Sequence, residues 1–336
     1  MDAPHDLPPL IGQSPAFLEV MELTSRAAPL ERPVLVIGER GTGKELIAQR
    51  LHFLSGRWDK PLVKVNCAAL PETLLETELF GHEAGAFTGA ARRRAGRFER
   101  ADGGSLFMDE IANASPAAQE KILRIVEYGE LERVGSSATL HVDVRVIAAT
   151  NVDLPAEAEA GAFRHDLLDR LSFEVITVPP LRARREDIPV LADHFGRAMA
   201  RELGWPAFPG FSERAMADLL GYPWPGNVRE IKNVAERAVY RWADEETSID
   251  AIPFDPFASP FRPAAGTPSG AAAPAKAAPA PASLDLRTEL GRTERRLLED
   301  ALGAARFNQR VAARRLGLSY DQLRNRLRKH GLLERR

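Results

Sequence analysis

The residues best suited to chemistry sit in one glycine-rich turn. Gly38-Glu39-Arg40-Gly41-Thr42-Gly43-Lys44-Glu45 follows the apolar run Val34-Leu35-Val36-Ile37. Glycines at 38, 41 and 43 let the chain bend sharply, so that successive backbone N–H groups converge on an anion. Lys44 adds a point charge suited to the β- and γ-phosphates of a nucleotide. The helix that follows, opening at Glu45, aims its N-terminal dipole at the same anion. This is the P-loop pattern with one departure: Glu45 stands where a serine or threonine hydroxyl usually holds magnesium. A plain strand–turn–helix connection would explain the glycines but leaves Lys44 without a task.

A second group fits the same chemistry. Leu106-Phe107-Met108-Asp109-Glu110 is an apolar strand ending in two acids. Carboxylates at the C-terminal end of a buried strand lie at the sheet edge where ligands collect. Asp109 is suited to hold Mg²⁺ or its water, and Glu110 to polarise an attacking water. An ordinary strand end running into an acidic turn is the plain alternative.

The elements that must position these residues follow from patterning. Strands are predicted at Val34–Ile37, Pro61–Asn66, Ser105–Met108, Val144–Ala149 and Phe173–Val178. Helices fit between them. Ser14-Pro15 and Ser115-Pro116 each read as an N-cap with proline at the first helical position, and the second opens a helix to Glu127. Alternating strands and helices indicate a mostly parallel sheet covered on both faces. A helical part follows, with helices predicted over 185–203, 212–220 and 227–242. From Pro253 to Ser283 alanine and proline dominate, too little apolar surface to fold, so this stretch reads as a disordered linker. Helical patterning resumes from Leu284 to His330. The expected domains are 1–180 (α/β), 181–250 (helical), 251–283 (linker) and 284–336 (all-α).

Composition narrows the classes. The chain has 336 residues, 44% of them hydrophobic, enough for two or three domains with real cores. No apolar run approaches the roughly 20 residues of a membrane span. The polar, acidic start Met1-Asp2-Ala3-Pro4-His5 is not a signal peptide. A single cysteine, Cys67, excludes an internal disulfide and fits a reducing cytoplasm. It reads either as a small buried apolar residue or as a reactive thiol. The net charge of −2 is unevenly spread: from Leu284 onward 14 lysines and arginines stand against 7 acids. That basic end suggests a polyanionic partner.

Near the C-terminus, residues 308–329 read as helix, turn, helix. Asn308 caps the first helix, Gly317 ends it and Ser319 caps the second. Leu323 and Leu327, four apart, face inward. The opposite face carries Asp321, Gln322, Asn325, Arg328 and Lys329. Amides there suit base edges and basic residues suit phosphates. With Arg310, Tyr320 and Arg324 these are the candidate DNA contacts. A solvated amphipathic helix pair is the plain alternative.

Gly85-Ala86-Phe87-Thr88-Gly89-Ala90, which follows Glu78-Leu79-Phe80-Gly81-His82-Glu83-Ala84 to complete one run, is small, flexible and apolar. Its glycines permit either a mobile contact with Phe87 exposed or a tight turn with Phe87 tucked in. The whole run resembles the signature loop of bacterial enhancer-binding proteins, AAA+ ATPases that activate sigma-54 RNA polymerase. The resemblance covers about Pro9 to Tyr240 and the last 50 residues, where the helix–turn–helix is similar to the Fis-type reader.

The resemblance implies an AAA+ P-loop domain with a parallel sheet, a helical lid and a Fis-type domain, with ATP and Mg²⁺ as cofactors. It implies that Gly85–Ala90 contacts sigma-54. Asn66 would be the switch residue holding Glu110, and Thr150-Asn151 the first sensor. Arg164 and Arg170 would act in trans across a ring, and Arg229, in Gly226-Asn227-Val228-Arg229-Glu230, as the second sensor. Taken singly, each arginine reads equally as a surface ion-pair residue. Glu130–Gly135 resembles a second pore loop that moves with the first; by itself it reads as a solvated turn. Glu45 agrees with the family pattern, leaving more of the metal shell to water and Asp109.

Further implications are a dimer contact through 292–302, a hexameric ring, and binding to enhancer DNA upstream of the promoter. An ATPase domain beginning near residue 9 leaves no room for a receiver or sensing domain. Control is then expected in trans from an inhibitory regulator protein. Trp58, flanked by polar residues, is either its docking point or a half-buried structural residue. Two rival classes are a general AAA+ remodeller and a DNA-binding repressor that keeps the ATPase fold for assembly. The signature loop counts against both.

Overall fold

Alternate residues of the apolar strands belong to different cores. Leu35, Leu106, Met108, Val146 and Ala148 pack on one face of the sheet; Val34, Val36, Phe107, Ile147 and Ala149 pack on the other. Side chains on a strand alternate sides, so a strand apolar throughout must be covered twice. The computed structural model describes residues 9–87, 89–242, 244–259, 261, 286–305 and 308–332. It has two compact units, Met1–Ala258 and Ser259–Arg336.

In the first unit the strands are β1 (Val34–Ile37), β2 (Leu62–Asn66), β3 (Ser105–Asp109), β4 (Glu130–Glu132), β5 (Thr139–His141), β6 (Arg145–Thr150) and β7 (Glu174–Thr177). Five of them form one sheet in the order β2-β3-β6-β1-β7. Every pairing in it is parallel. The expected strands are therefore present, within a residue or two at each end. The helices Pro15–Ala27 and Pro116–Tyr128 begin at the predicted caps: Ser14 Oγ accepts from Phe17 N–H and Ser115 Oγ from Ala118 N–H. A buried arginine closes the first of these helices. Arg145 donates to the carbonyls of Ala27 and Ala28 at 2.9 and 2.7 Å, satisfying groups that a helix C-terminus leaves open.

β4 and β5 form a separate two-stranded antiparallel ribbon. Glu130–Glu132, read as a turn on its own sequence, is thus a strand. Leu131 supplies the reason, being buried against the main core while its neighbours face out.

The helical part holds Asp187–Glu202, Glu213–Gly221 and Asn227–Trp242 around Trp224, which is fully buried with its indole N–H on Leu219 O. The expected linker begins later than residue 251. Ile252 and Phe254 pack on the helical core, and Phe254 stacks on Tyr222 at 4.3 Å between ring centres. An aromatic ring has the apolar area that alanine and proline lack. The rest of the linker, residue 260 and residues 262–283, lies outside the described residues.

The second unit consists of helices Leu286–Ala304, Gln309–Arg315 and Tyr320–Lys329. Its core is Leu298, Leu302, Ala312, Leu323 and Leu327. Asn308 caps the second helix, Gly317 follows its end at φ 65°, and Ser319 makes a capping box with Gln322. Among the described residues no helix is long and apolar enough to cross a membrane.

Candidate functional site

Four strand ends deliver the predicted residues to one edge of the sheet. The P-loop leaves β1, Asn66 ends β2, Asp109 and Glu110 end β3, and Thr150-Asn151 end β6. All strands run the same way, so these are all C-terminal ends, where the sheet opens to ligands.

Within the P-loop, Lys44 is 8% exposed and turns its Nζ onto the carbonyls of Gly38 (2.8 Å) and Glu39 (3.2 Å). Burial pushes the ammonium pKa down, opposed by the carboxylates of Asp109 and Glu110. A partly desolvated cation pointing into its own turn suits a phosphate, which would restore its charge partner. Gly43 has φ 102° and open space where a Cβ would stand, so its N–H can meet a ligand closely. The loop therefore fits a nucleotide phosphate. Glu45 turns outward to Lys64 at 2.9 Å and is 55% exposed, away from any metal role.

Asp109 Oδ1 accepts from the Glu110 N–H at 3.0 Å. Glu110 itself adopts φ 53° and ψ 46°, a left-handed conformation that costs a non-glycine residue about 1 kcal/mol. Strain of this kind clusters at functional positions. With its amide turned so that the nitrogen rather than the oxygen faces the acid, the orientation that satisfies both groups, Asn151 donates to both Glu110 carboxylate oxygens, and Arg40 Nε lies 3.8 Å from Glu110 Oε1. Asn66 does not fill its expected place as the partner of Glu110: its Oδ1 accepts from Ala68 N–H at 2.8 Å. A short polar side chain at a strand end readily closes the next turn instead. Thr150 is fully buried, its Oγ1 accepting from Val152 N–H. Thus Asn151, and not Thr150, faces the acid. Among the described residues no cluster of three or more His, Cys, Asp and Glu could hold a metal. Asp109 with water and phosphate oxygens is a donor set that suits Mg²⁺, which keeps much of its hydration.

The other predicted arginines lie elsewhere. Arg164 pairs with Asp166 at 2.8 Å and Arg170 with Glu127 at 2.5 Å, both on the surface of the helix His165–Leu171 and its approach. Arg229 is exposed on the lid helix, its backbone N–H on Gly41 O at 3.3 Å.

The loop Gly85–Ala90 closes on itself. Gly85 N–H donates to Ala90 O at 2.8 Å and Ala90 N–H to Phe87 O at 3.0 Å. Phe87 is 43% exposed, its ring edge-on to His82 at 5.0 Å, so it is neither fully free nor tucked in. Thr88 lies outside the described residues. Buried Arg133 joins this loop's base to the ribbon, pairing with Glu83 at 2.8 Å and Glu99 at 2.5 Å. Sequence reasoning missed Arg133; the signal available was only its place in the second pore-loop run.

Cys67 is buried and its thiol is pushed up to about 12, chiefly by burial, so it is inert. Trp58 is 63% exposed, beside Arg57, which bridges Glu31 and Asp143. In the second unit Arg310, Tyr320, Asp321, Gln322, Arg324, Asn325 and Arg328 are exposed. Lys329 is also exposed but is tied at 3.0 Å to Glu294. Glu294 is held to about 2 by bonds from His330, Lys329 and Arg326.

Comparison with known proteins agrees with this geometry. Residues 10–177 match the sigma-54 interaction domain, 182–264 the AAA+ ATPase lid domain, and 289–330 the Fis family of bacterial regulatory proteins. The Psp operon transcriptional activator of Escherichia coli K12 is 55% identical over 322 residues, covering 96% of this chain and 97% of that protein. The transcriptional regulatory protein ZraR of Salmonella typhimurium is 51% identical over 75% of this chain and 57% of its own length. Among solved structures, NtrX from Brucella abortus in complex with ATP superposes with a TM-score of 0.68 at 32% identity, over 96% of this chain and 70% of that one. The same protein with ADP gives 0.67 at 33% identity.

Proposed function

The chain belongs to the sigma-54 interaction family of AAA+ transcriptional activators, and from that premise we propose that it couples ATP hydrolysis to the remodelling of sigma-54 RNA polymerase through the loop Gly85–Ala90. One observation carries the reading: Lys44, Asp109, Glu110 and Asn151 converge at one sheet edge, with Glu110 in a left-handed backbone and the Asn151 amide facing its carboxylate.

The backbone amides of residues 41–44 and the Lys44 ammonium bind the β- and γ-phosphates of ATP. Asp109 holds Mg²⁺, which when bound neutralises charge on those phosphates. Glu110 orients the attacking water and accepts its proton. Asn151 donates to Glu110 until the γ-phosphate competes for the amide, and Asn66 stands beside the same edge to take part in that exchange. Arg164 and Arg170 are offered to the nucleotide of the next subunit in a hexameric ring, their present ion pairs being exposed and cheap to break. Arg229 reaches the phosphates from the lid.

The work appears at a distance. The Arg133 pairs link the ribbon to the base of the signature loop, so a shift of β3 and the following helix raises that loop toward sigma-54. The Fis-type unit, residues 284–336, binds enhancer DNA as a dimer through Arg310, Tyr320, Gln322, Arg324, Asn325 and Arg328, with Asp321 and Lys329 at its margin. The segment between the units is a tether, the ATPase part spans 1–180 and the lid 181–250. The Psp operon activator supports the phage-shock operon as the target and an inhibitory regulator of the phage-shock type as the control, docking at exposed Trp58. All of this belongs in the cytoplasm.

Gel-shift of sigma-54 by the intact protein with a transition-state analogue tests the reading. The parental protein is expected to shift it, and Lys44→Ala to lose both ATP binding and the shift. Calorimetry showing unchanged ATP affinity in Lys44→Ala would sink it.

A further inference from the structure

Three consecutive carbonyls of the P-loop are held from outside the loop. Arg40 O accepts from Asn227 Nδ2 at 3.0 Å, Gly41 O from the Arg229 N–H at 3.3 Å, and Thr42 O from Arg184 Nη2 at 3.0 Å. A trans peptide is planar, with its C=O and N–H pointing opposite ways. Fixing those oxygens fixes the N–H groups of Gly41, Thr42 and Gly43 toward the other side. Those are the donors a phosphate would meet. The Thr42 N–H is only weakly engaged meanwhile, 3.4 Å from Glu39 O.

The holding residues are themselves fixed. Asn227 is fully buried, accepts from the Leu181 N–H at 2.7 Å and donates also to Glu39 Oε2 at 3.1 Å. Its φ of 51° lies in the left-handed region that asparagine tolerates better than most residues. Arg182 grips the same Glu39 carboxylate at 2.5 and 2.8 Å. Arg184 is 1% exposed, lies over the Phe17 ring, and stands 3.9 Å from Asp187, which accepts from the Gln13 and Ser14 N–H groups. Close approach leaves no slack: a Cβ on Gly41 would meet Gly226 O at 2.3 Å.

We propose that Asn227 and Arg184 are positioning residues that orient the phosphate-binding amides of the P-loop from the lid side. Nucleotide affinity is then set by where the lid stands as well as by the loop's own residues. By reciprocity, a bound nucleoside di- or triphosphate holds the lid in this position. The inference rests on the P-loop being the nucleotide site.

The test is calorimetry of ADP and of a non-hydrolysable ATP analogue with the full-length protein, alongside steady-state hydrolysis. Asn227→Gly removes the side chain but suits the left-handed backbone, so it separates lost hydrogen bonds from strain. Its Kd is expected to rise about tenfold, the loss of roughly one good hydrogen bond, with KM rising more than kcat falls. Asn227→Asp keeps the acceptor for Leu181 but sets a carboxylate against Glu39, and binds more weakly still. Adding Glu39→Gln supplies a donor to that carboxylate and should recover part of the affinity, which a general folding defect would not allow. An unchanged Kd in Asn227→Gly, or a double variant no tighter than Asn227→Asp, overturns the proposal. Lys44→Ala run in parallel separates the two readings. If it binds as the parent does, the nucleotide site itself is wrong. If it loses nucleotide while Asn227→Gly does not, only the positioning role is.

Discussion

Glycine serves opposite ends in the two loops that matter most. In the P-loop it is required by crowding at two of the three positions: a Cβ on Gly38 would stand 2.9 Å from Val178 O, and one on Gly41 2.3 Å from Gly226 O, while Gly43, at φ 102° with open space beside it, is left free for the ligand. In the signature loop it is required by conformation alone. Gly85 and Gly89 have φ of 80° and 105°, yet a Cβ on either would meet no described atom within 4 Å. The first loop is overdetermined by its neighbours, as a preorganised anion site must be. The second is held by its own backbone bonds, by Ala86 against Gly135 and by Phe87 edge-on to His82, few contacts beyond itself.

The comparison assigns chemistry to one loop's surroundings and motion to the other, so substitutions should separate. Glu110→Gln should give the largest effect on turnover. The amide cannot take the water's proton, and hydrolysis should fall by about two to four orders of magnitude while ATP still binds. Phosphate release measures the first and calorimetry the second. Hydrolysis at the parental rate would remove Glu110 from the chemistry and leave its left-handed backbone without a role.

A matched pair of substitutions bears on the glycines directly. Gly41→Ala drives a methyl into a lid carbonyl that cannot move alone, so ATP affinity should drop by at least about tenfold. Gly89→Ala meets no neighbour and pays only backbone strain, about 1–2 kcal/mol. It should keep ATP affinity within about twofold and weaken sigma-54 binding. Equal losses of ATP affinity in both variants would erase the distinction between the loops.

Much of this was legible in the sequence because it is local. A strand apolar at every position, three spaced glycines with a lysine, and a strand ending in two acids each declare themselves within ten residues. What was not legible depends on residues far apart in the chain. Asn66 and Asn151 end the two strands that flank β3, yet Asn66 turns its Oδ1 back to the Ala68 N–H while Asn151 faces Glu110, a difference no local pattern reveals. The ribbon β4–β5 has three-residue strands, too short to show alternation. Lys329 reads as a free phosphate contact until Glu294, a helix away, is seen to hold it. Phe254 reads as linker because alanine and proline surround it, whereas its ring lies on Tyr222. The grip of Asn227 and Arg184 on the P-loop spans more than 140 residues of sequence.

The smallest expected effect on hydrolysis is also the most discriminating. Thr88, between Phe87 and Gly89 in the sequence, offers a methyl for packing and a hydroxyl for hydrogen bonding, and Phe87 is 43% exposed. Nothing at the nucleotide edge requires Thr88: Lys44, Asp109, Glu110 and Asn151 are delivered by strand ends, and the P-loop is braced by the lid. Thr88→Ala should therefore leave ATPase activity within a few-fold of the parent, about 1 kcal/mol in barrier terms. It should still lose sigma-54 binding and open-complex formation. The two quantities are measured on one preparation, phosphate release and gel-shift of sigma-54 with a transition-state analogue. A folding defect would lower both together, because the ATP site and the loop base share the core of one sheet. Normal sigma-54 binding and normal activation by the variant would mean that the loop's freedom serves some other contact, and the division of labour between the two glycine-rich loops would have to be abandoned.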